Sequence, residues 1–305
     1  MSIQDRPTTE PEWAPGLPGR VRALLRRTLV AAVGHRGERR FHGWYHRVLR
    51  ATGRFDPPED AASAAALDAI AARSMTIIDI GANVGRYAWF LRRHAPAQAR
   101  LFALEPHPGA ADLLRRAMDG LAGCTVLQLA ASDSDGTAAL VVPEGAFGSP
   151  VSGLAWVKTP NEAGARSDPP DQPTIIIRRL DGLIVDGSIA IRGPVFIKID
   201  VEGGERRVLR GAIELLRTSR PIVYFECQAA SLARQDETPE DVWADLRELG
   251  YAMFANRSGR FEPMSAVDAS IVNYLAIPDL RSSGPLDAMT LKTVLDGWVE
   301  RTTAV

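Results

Sequence analysis

Cysteine is nearly absent from this chain, with two residues, Cys124 and Cys227, in 305. Both sit inside apolar runs, which excludes a disulfide scaffold and reads as reduced core thiols in a cytoplasmic protein. No stretch approaches the roughly 18 consecutive apolar residues of a membrane span. The first residues, MSIQDRPTTEPEWAPG, lack the charged-then-apolar pattern of an export signal. Neither sign of charge is in surplus, since 36 basic face 37 acidic residues for a net −1. Glycine and proline number 26 and 21, too few for a low-complexity chain, so disorder throughout is excluded. What remains is ordinary globular composition, 46% apolar and 24% charged, on a length that suits one large domain with or without a small appendage.

The near-zero net charge hides an asymmetry. Between Arg20 and Arg54 stand ten arginines and one acid, Glu38. A basic segment ahead of an acidic body argues against a general nucleic-acid binder. Residues 1–19 carry prolines and acids without periodicity and read as a mobile tail. Residues 20–74 read as a basic helical extension: Val21, Leu24, Leu25, Leu29 and Val33 follow helical spacing, a second helix runs from about Phe41 to Leu49, and the Ala-rich Glu59–Ala72 is a third. The arginine-rich helix suits three uses: steering an anionic acceptor, resting on a membrane surface or acidic carrier partner, or, the preferred reading, a homo-oligomer contact with its charges solvated. His42 and His46, four apart, read as part of a solvated basic helix and not as metal ligands.

From Met75 the pattern changes. Short apolar runs at Thr76–Ile80, Leu101–Glu105, Thr125–Leu129, Val195–Asp200 and Ile222–Glu226 alternate with amphipathic helices. Among these are Gly109–Met118 and the face Val208, Leu209, Ala212, Ile213 and Leu216. Near-continuous apolar strands between helices predict an α/β domain with a doubly wound, Rossmann-like parallel sheet over residues 75–280. The stretch 136–180 interrupts it with two added strands, Ala138–Val142 and Thr174–Arg179. The long loop 143–173 between them, carrying Phe147, Leu154 and Trp156, reads as a lid over the cleft or, in the alternative, as a disordered surface excursion. A helix at Val242–Leu249 and strands at Tyr251–Asn256 and Ile271–Ile277 complete the sheet, and a separate C-terminal helix, within 281–305, ends the chain.

Ligands of such sheets sit at the carboxyl ends of the strands, beside the topological switch point. The first strand ends in Asp79-Ile-Gly-Ala-Asn-Val-Gly85, where Gly81 and Gly85 let a ligand approach the backbone. The second ends on Glu105, a carboxylate able to accept both hydroxyls of a ribose. A dinucleotide site needs G-x-G-x-x-G, which is missing here. Asp79 ahead of the turn repels a pyrophosphate and suits a cationic ligand with an amine and a sulfonium, as in S-adenosylmethionine (SAM). After the third strand, Ser132 and Asp133 lie level with the adenine of such a ligand, or else form a plain turn.

Ile78–Gly85, Ala103–His107, Ala130–Asp133 with Gly136, Leu180-Asp181 and Ile197–Glu205 together resemble the FkbM-type SAM-dependent methyltransferases, over about residues 75–277. The resemblance implies a class I methyltransferase fold and methyl transfer to a hydroxyl of a sugar, glycan or secondary metabolite. It implies that Asp79, Gly81, Ala82, Asn83 and Gly85 hold the methionine part, that Glu105 takes the ribose, and that Asp133, beside Ser132, takes the adenine.

Methyl transfer is an in-line displacement that needs the acceptor oxygen about 3 Å from the methyl. An alcohol at neutral pH also needs a base, or a metal that acidifies it. Asp200, at the fourth strand end, is the first candidate base, followed by Glu202. Lys198 shares a strand face with Asp200, and Glu226 ends the neighbouring strand. In the alternative, Asp200 and Glu226 hold Mg²⁺. Glu205 is expected to serve only the electrostatics of its helix start. His107 reads as a neighbour of the adenosine and not as a catalytic group. The chain is therefore expected to be an O-methyltransferase. The alternatives are N-methylation on the same fold, or a non-catalytic SAM or nucleotide binder with a basic partner-binding arm.

Overall fold

The computed structural model describes residues 44–57, 59–145, 149–150, 154–158, 172–279 and 286–303. The proposed tail at 1–19, the arginine-rich helix with its oligomer contact, His42 and the middle of the loop 143–173 lie outside these residues. Helix α1 covers 44–51 and brings His46 inward, 2% exposed, its ring 5.4 Å from that of Phe55. The solvated reading therefore fails for His46, because the apolar side of this helix faces the domain. Helix α2 (Ala61–Ala71) starts at Asp60, whose carboxylate accepts from the amides of Ala62 and Ser63 and so satisfies two orphan donors.

The core then follows as β1 (Thr76–Ile80), α3 (Arg86–His94), β2 (Arg100–Leu104), α4 (Pro108–Met118) and β3 (Cys124–Leu127). An insert follows: β4 (Ala130–Ala131), β5 (Gly136–Val141), the short pair β6 (Glu144–Gly145) and β7 (Ser149–Pro150), β8 (Trp156–Val157) and β9 (Thr174–Arg178). The chain returns through α5 (Leu180–Val185), β10 (Val195–Ile199), α6 (Glu205–Arg210), α7 (Ile213–Thr218) and β11 (Ile222–Glu226). It ends with α8 (Ala229–Leu232), a 3₁₀ turn Ala233–Gln235, α9 (Pro239–Glu248), β12 (Tyr251–Arg257), β13 (Arg260–Pro263), β14 (Asn273–Pro278) and α10 (Ala288–Thr303).

The main sheet runs β13-β12-β14-β11-β10-β1-β2-β3, parallel from β11 through β3 and antiparallel beyond β11. The order reverses between β1 and β10, which opens a crevice at their carboxyl ends. Alternation along each strand splits the core in two. Ile78, Ile80, Ile197, Ile199, Val223 and Phe225 face a core built with α5, α6, α7 and α9. Ile77, Phe196 and Tyr224 face another, packed with α2, α3, α4 and α10. Leu67 and Ile70 of α2 and Trp298 of α10 are fully buried there, so both helices belong to the domain core.

Two expectations need correction, and one strand was not expected. The third strand stops at Leu127, and Ala130–Ala131 pairs with β9 in a separate sheet of order β4-β9-β5-β8. The helix expected across Val208–Leu216 breaks into α6 and α7 at Gly211, where a Cβ would lie 1.9 Å from the Ser132 carbonyl oxygen. β13 extends the far edge and has only Phe261 as a buried apolar anchor.

Candidate active site

The crevice holds a cavity whose wall includes Ile80, Gly81, Asn83, Leu104, Glu105 and Asp200, with Ala155 and Val157 of the insert forming part of its surround. β8 reaches this position by pairing with β5, Leu140 opposite Val157. Gln235 Nε2 donates to the Val157 carbonyl at 3.0 Å, and the Arg234 guanidinium lies 4.8 Å from the Trp156 ring centroid. The described part of the insert thus borders the cavity.

Glu105, just past β2, is 6% exposed. Its Oε2 accepts from the Asn83 amide and its Oε1 from the His107 amide, both at 2.8 Å. Burial pushes its carboxyl up to about 7, against the pull of those two amides. His107 caps α4, with Nδ1 accepting from the Ala110 amide at 3.1 Å, and burial lowers its pKa. Asn83 sits on the wall at φ 48°, with its Oδ1 buried and without a hydrogen-bond partner among the described residues.

The glycines of this turn answer first to protein packing. Gly81 has φ 76°, and a Cβ there would stand 1.7 Å from the Asp200 carbonyl oxygen. Gly85 is off the cavity wall, and its missing Cβ makes room for Leu114 of α4. Ala82 is buried and also off the wall. Asp79 is fully buried beneath the floor, 3.9 Å from Lys198 Nζ, and burial pushes its carboxyl up to about 6. It does not line the cavity.

At the ends of β10 and β11 the expected acids come together. Lys198 is 3% exposed, with Nζ 2.9 Å from Asp200 Oδ2 and 4.2 Å from the Tyr87 ring centroid. Burial opposes its charge, but Asp200 and Asp79 outweigh that and raise its pKa. Asp200 is held below its ordinary range: burial opposes this, and Lys198 together with a hydrogen bond from Glu226 prevails. Glu226 is pushed up to about 10 by burial and then by the Asp200 charge, so it is the protonated member of the pair. Gln228 Nε2 donates to its Oε1.

Glu202, on the wall at φ 58°, accepts from Ser231 Oγ at 3.3 Å and lies 3.9 Å from Arg234 Nη1. Burial, then Asp200, pushes it up to about 7. One carboxylate oxygen from each of Asp200, Glu202 and Glu226 lies within 4.8 Å of the others.

Glu205 does more than serve its helix start. It is 1% exposed, and its Oε1 accepts from the Val201 and Gly203 amides at 3.2 Å each, stapling the loop that carries Glu202. Burial pushes its carboxyl up to about 7. Asp181 is also structural, accepting from the Glu214 and Leu215 amides at 3.0 Å and so capping α7. On the adenine side Ser132 lines the cavity at 4% exposed, whereas Asp133 is exposed and off the wall. Arg207 and Gln235 also line the cavity and were not expected. They belong to no motif, and only the packing of α6 against the segment after β11 brings them there.

The methyltransferase FkbM domain matches residues 79–253. The chain belongs to the FkbM methyltransferase family. The methyltransferase sdnD of Sordaria araneosa is 28% identical over 171 residues, covering 45% of this chain and 60% of sdnD. Among solved structures, the FkbM methyltransferase of Methylobacillus flagellatus aligns at 18% identity and a TM-score of 0.40, over 67% of this chain and 44% of that one. The O-methyltransferase TomG of Streptomyces achromogenes, involved in tomaymycin synthesis and solved with SAM, aligns at 14% identity and a TM-score of 0.40, over 79% and 88%. The chain thus spans less than two thirds of sdnD and of the M. flagellatus protein. No helix among the described residues is long and apolar enough to cross a membrane.

Proposed function

We propose that this chain is a SAM-dependent methyltransferase acting on a hydroxyl of a sugar, glycan or secondary metabolite. The observation that carries the reading is one crevice with two chemistries. A buried carboxylate suited to a ribose, Glu105, and an orphaned amide oxygen, Asn83 Oδ1, lie on the same wall as the acids Asp200 and Glu202. These groups fit SAM, because Glu105 keeps lone pairs for two hydroxyls and Asn83 Oδ1 can accept a hydrogen bond from the ammonium. When bound, SAM supplies an electrophilic methyl on a sulfonium.

The chain's own residues do the rest. Asp200, held ionised by Lys198, favours a cation in the crevice. The same contacts make it a weak base. Glu202, at about 7, has basicity matched to neutral pH and would take the acceptor's proton. Glu226 donates to Asp200 and fixes its orientation. A second reading has support in the grouping of Asp200, Glu202 and Glu226, whose oxygens are of the type a hard cation takes. Against it, Lys198 already provides a positive charge 2.9 Å from Asp200.

Calorimetric titration with S-adenosylhomocysteine (SAH), in EDTA and in Mg²⁺, tests the reading. Micromolar binding that EDTA leaves unchanged is expected. Binding lost in EDTA and restored by Mg²⁺ would replace the base reading with the metal one. No binding by folded, ligand-free protein would sink the methyltransferase itself.

A further inference from the structure

Two further polar atoms of the cavity wall are buried without a hydrogen-bond partner among the described residues: Oε1 of Gln235 and Nε of Arg207. Gln235 is 8% exposed, at the end of the 3₁₀ turn after α8. Its amide has a defined orientation, because Nε2 donates to the Val157 carbonyl at 3.0 Å and Oε1 must therefore point away from that carbonyl. An amide oxygen left unpaired in a buried site is a standing penalty, and a ligand donor in the cavity removes it. The same cavity wall carries the apolar side chains of Leu129, Ala131, Leu140 and Val157 beside Ser132. An acceptor and a donor among these side chains complement the edge of adenine, whose exocyclic amine stands beside a ring nitrogen.

We propose that Gln235 is the residue that recognises adenine in this cavity, its Oε1 accepting from the exocyclic amine while Arg207 Nε faces a ring nitrogen. This rests on the SAM reading above and names the part of that ligand the segment after β11 would read. Asp133 is the poorer candidate: it is exposed, off the wall, and engaged by the hydroxyls of Ser132 and Ser134. A neutral amide also accepts the amine without burying a charge.

Gln235 also ties down β8 through Val157, so a loss of affinity alone would not separate recognition from support. The comparison of SAH with S-inosylhomocysteine does. The second ligand carries a carbonyl oxygen in place of the amine and a proton on the adjacent ring nitrogen. Titrated calorimetrically, the native protein should favour SAH at least tenfold. Gln235→Leu and the near-isosteric Gln235→Met should lose most of that preference, keeping only the share that Arg207 Nε contributes at the ring nitrogen, whereas Gln235→Glu, which keeps an acceptor oxygen, should retain it. Equal affinity of the native protein for both ligands would overturn the proposal without needing any variant. So would an unchanged preference in Gln235→Leu or Gln235→Met, even with both affinities reduced, since that is the signature of a residue that only supports β8. If folded native protein binds neither ligand, the SAM reading fails and takes the proposal with it, a result distinct from the other two because no preference can be read.

Discussion

Both oxygens of Glu105 accept a backbone amide, and each keeps a second lone pair. Replacing it with alanine would strand the Asn83 and His107 amides as well as any ribose hydroxyl. Glu105→Ala should therefore weaken SAH binding by about 1–3 kcal/mol, read by calorimetry; unchanged affinity would remove Glu105 from the ribose site. This residue was legible in the sequence because a strand-end acid follows from topology alone. Asp200, Glu202 and Glu226 were legible for the same reason. What adjacency in sequence could not reveal is which of them is ionised. That depends on Lys198 and on burial, and the split between a low Asp200 and a high Glu226 arises only when the two strand ends meet. Gln235 was invisible because nothing in its neighbourhood is periodic or motif-like, and Arg207 lies between the Ile197–Glu205 block and the apolar face that starts at Val208 and belongs to neither.

At the scale of elements, apolar continuity betrays a strand buried on both faces, and β1, β2, β10 and β11 were read within a residue of their bounds. The signal fails where burial is one-sided or short. β13 has one apolar anchor, and the break between α6 and α7 leaves the apolar spacing intact, so only the close approach of Ser132 to Gly211 reveals it. The terminal helix was legible as a helix but not as core. In α10, Leu295 and Trp298 are fully buried, and Trp298 Nε1 donates to the Arg220 carbonyl at 3.1 Å. Trp298→Ala should cost about 3–5 kcal/mol of stability, seen as a lower urea midpoint. A midpoint unchanged from the native protein would show that α10 is dispensable to the core.

Taken whole, the molecule buries carboxyls whose folded pKa values exceed their ordinary ones: Asp79 at about 6, and Glu105, Glu202 and Glu205 at about 7. Between the ordinary carboxylate range and those values the folded state binds more protons than the unfolded one, so stability falls as pH rises. His107, held neutral as a cap, opposes this below its ordinary range, one group against those four and Glu226, which is raised as well. Acids held low by ion pairs, such as Asp186 at about 2, matter only in stronger acid. The Tm should therefore be higher at about pH 5.5 than at about pH 7.5 at matched ionic strength. A flat or rising profile would contradict the burial of these acids. The order of the main sheet carries one more consequence. β14, at 273–278, sits between β11 and β12, so the outer neighbour of β11 and both neighbours of β12 come from segments beyond residue 253. A fragment excised at the limits by which the family is recognised would cut through β1 and β12, leave β11 as a raw strand edge and invite aggregation. Heredity has marked out one stretch of this chain, and folding requires a longer one.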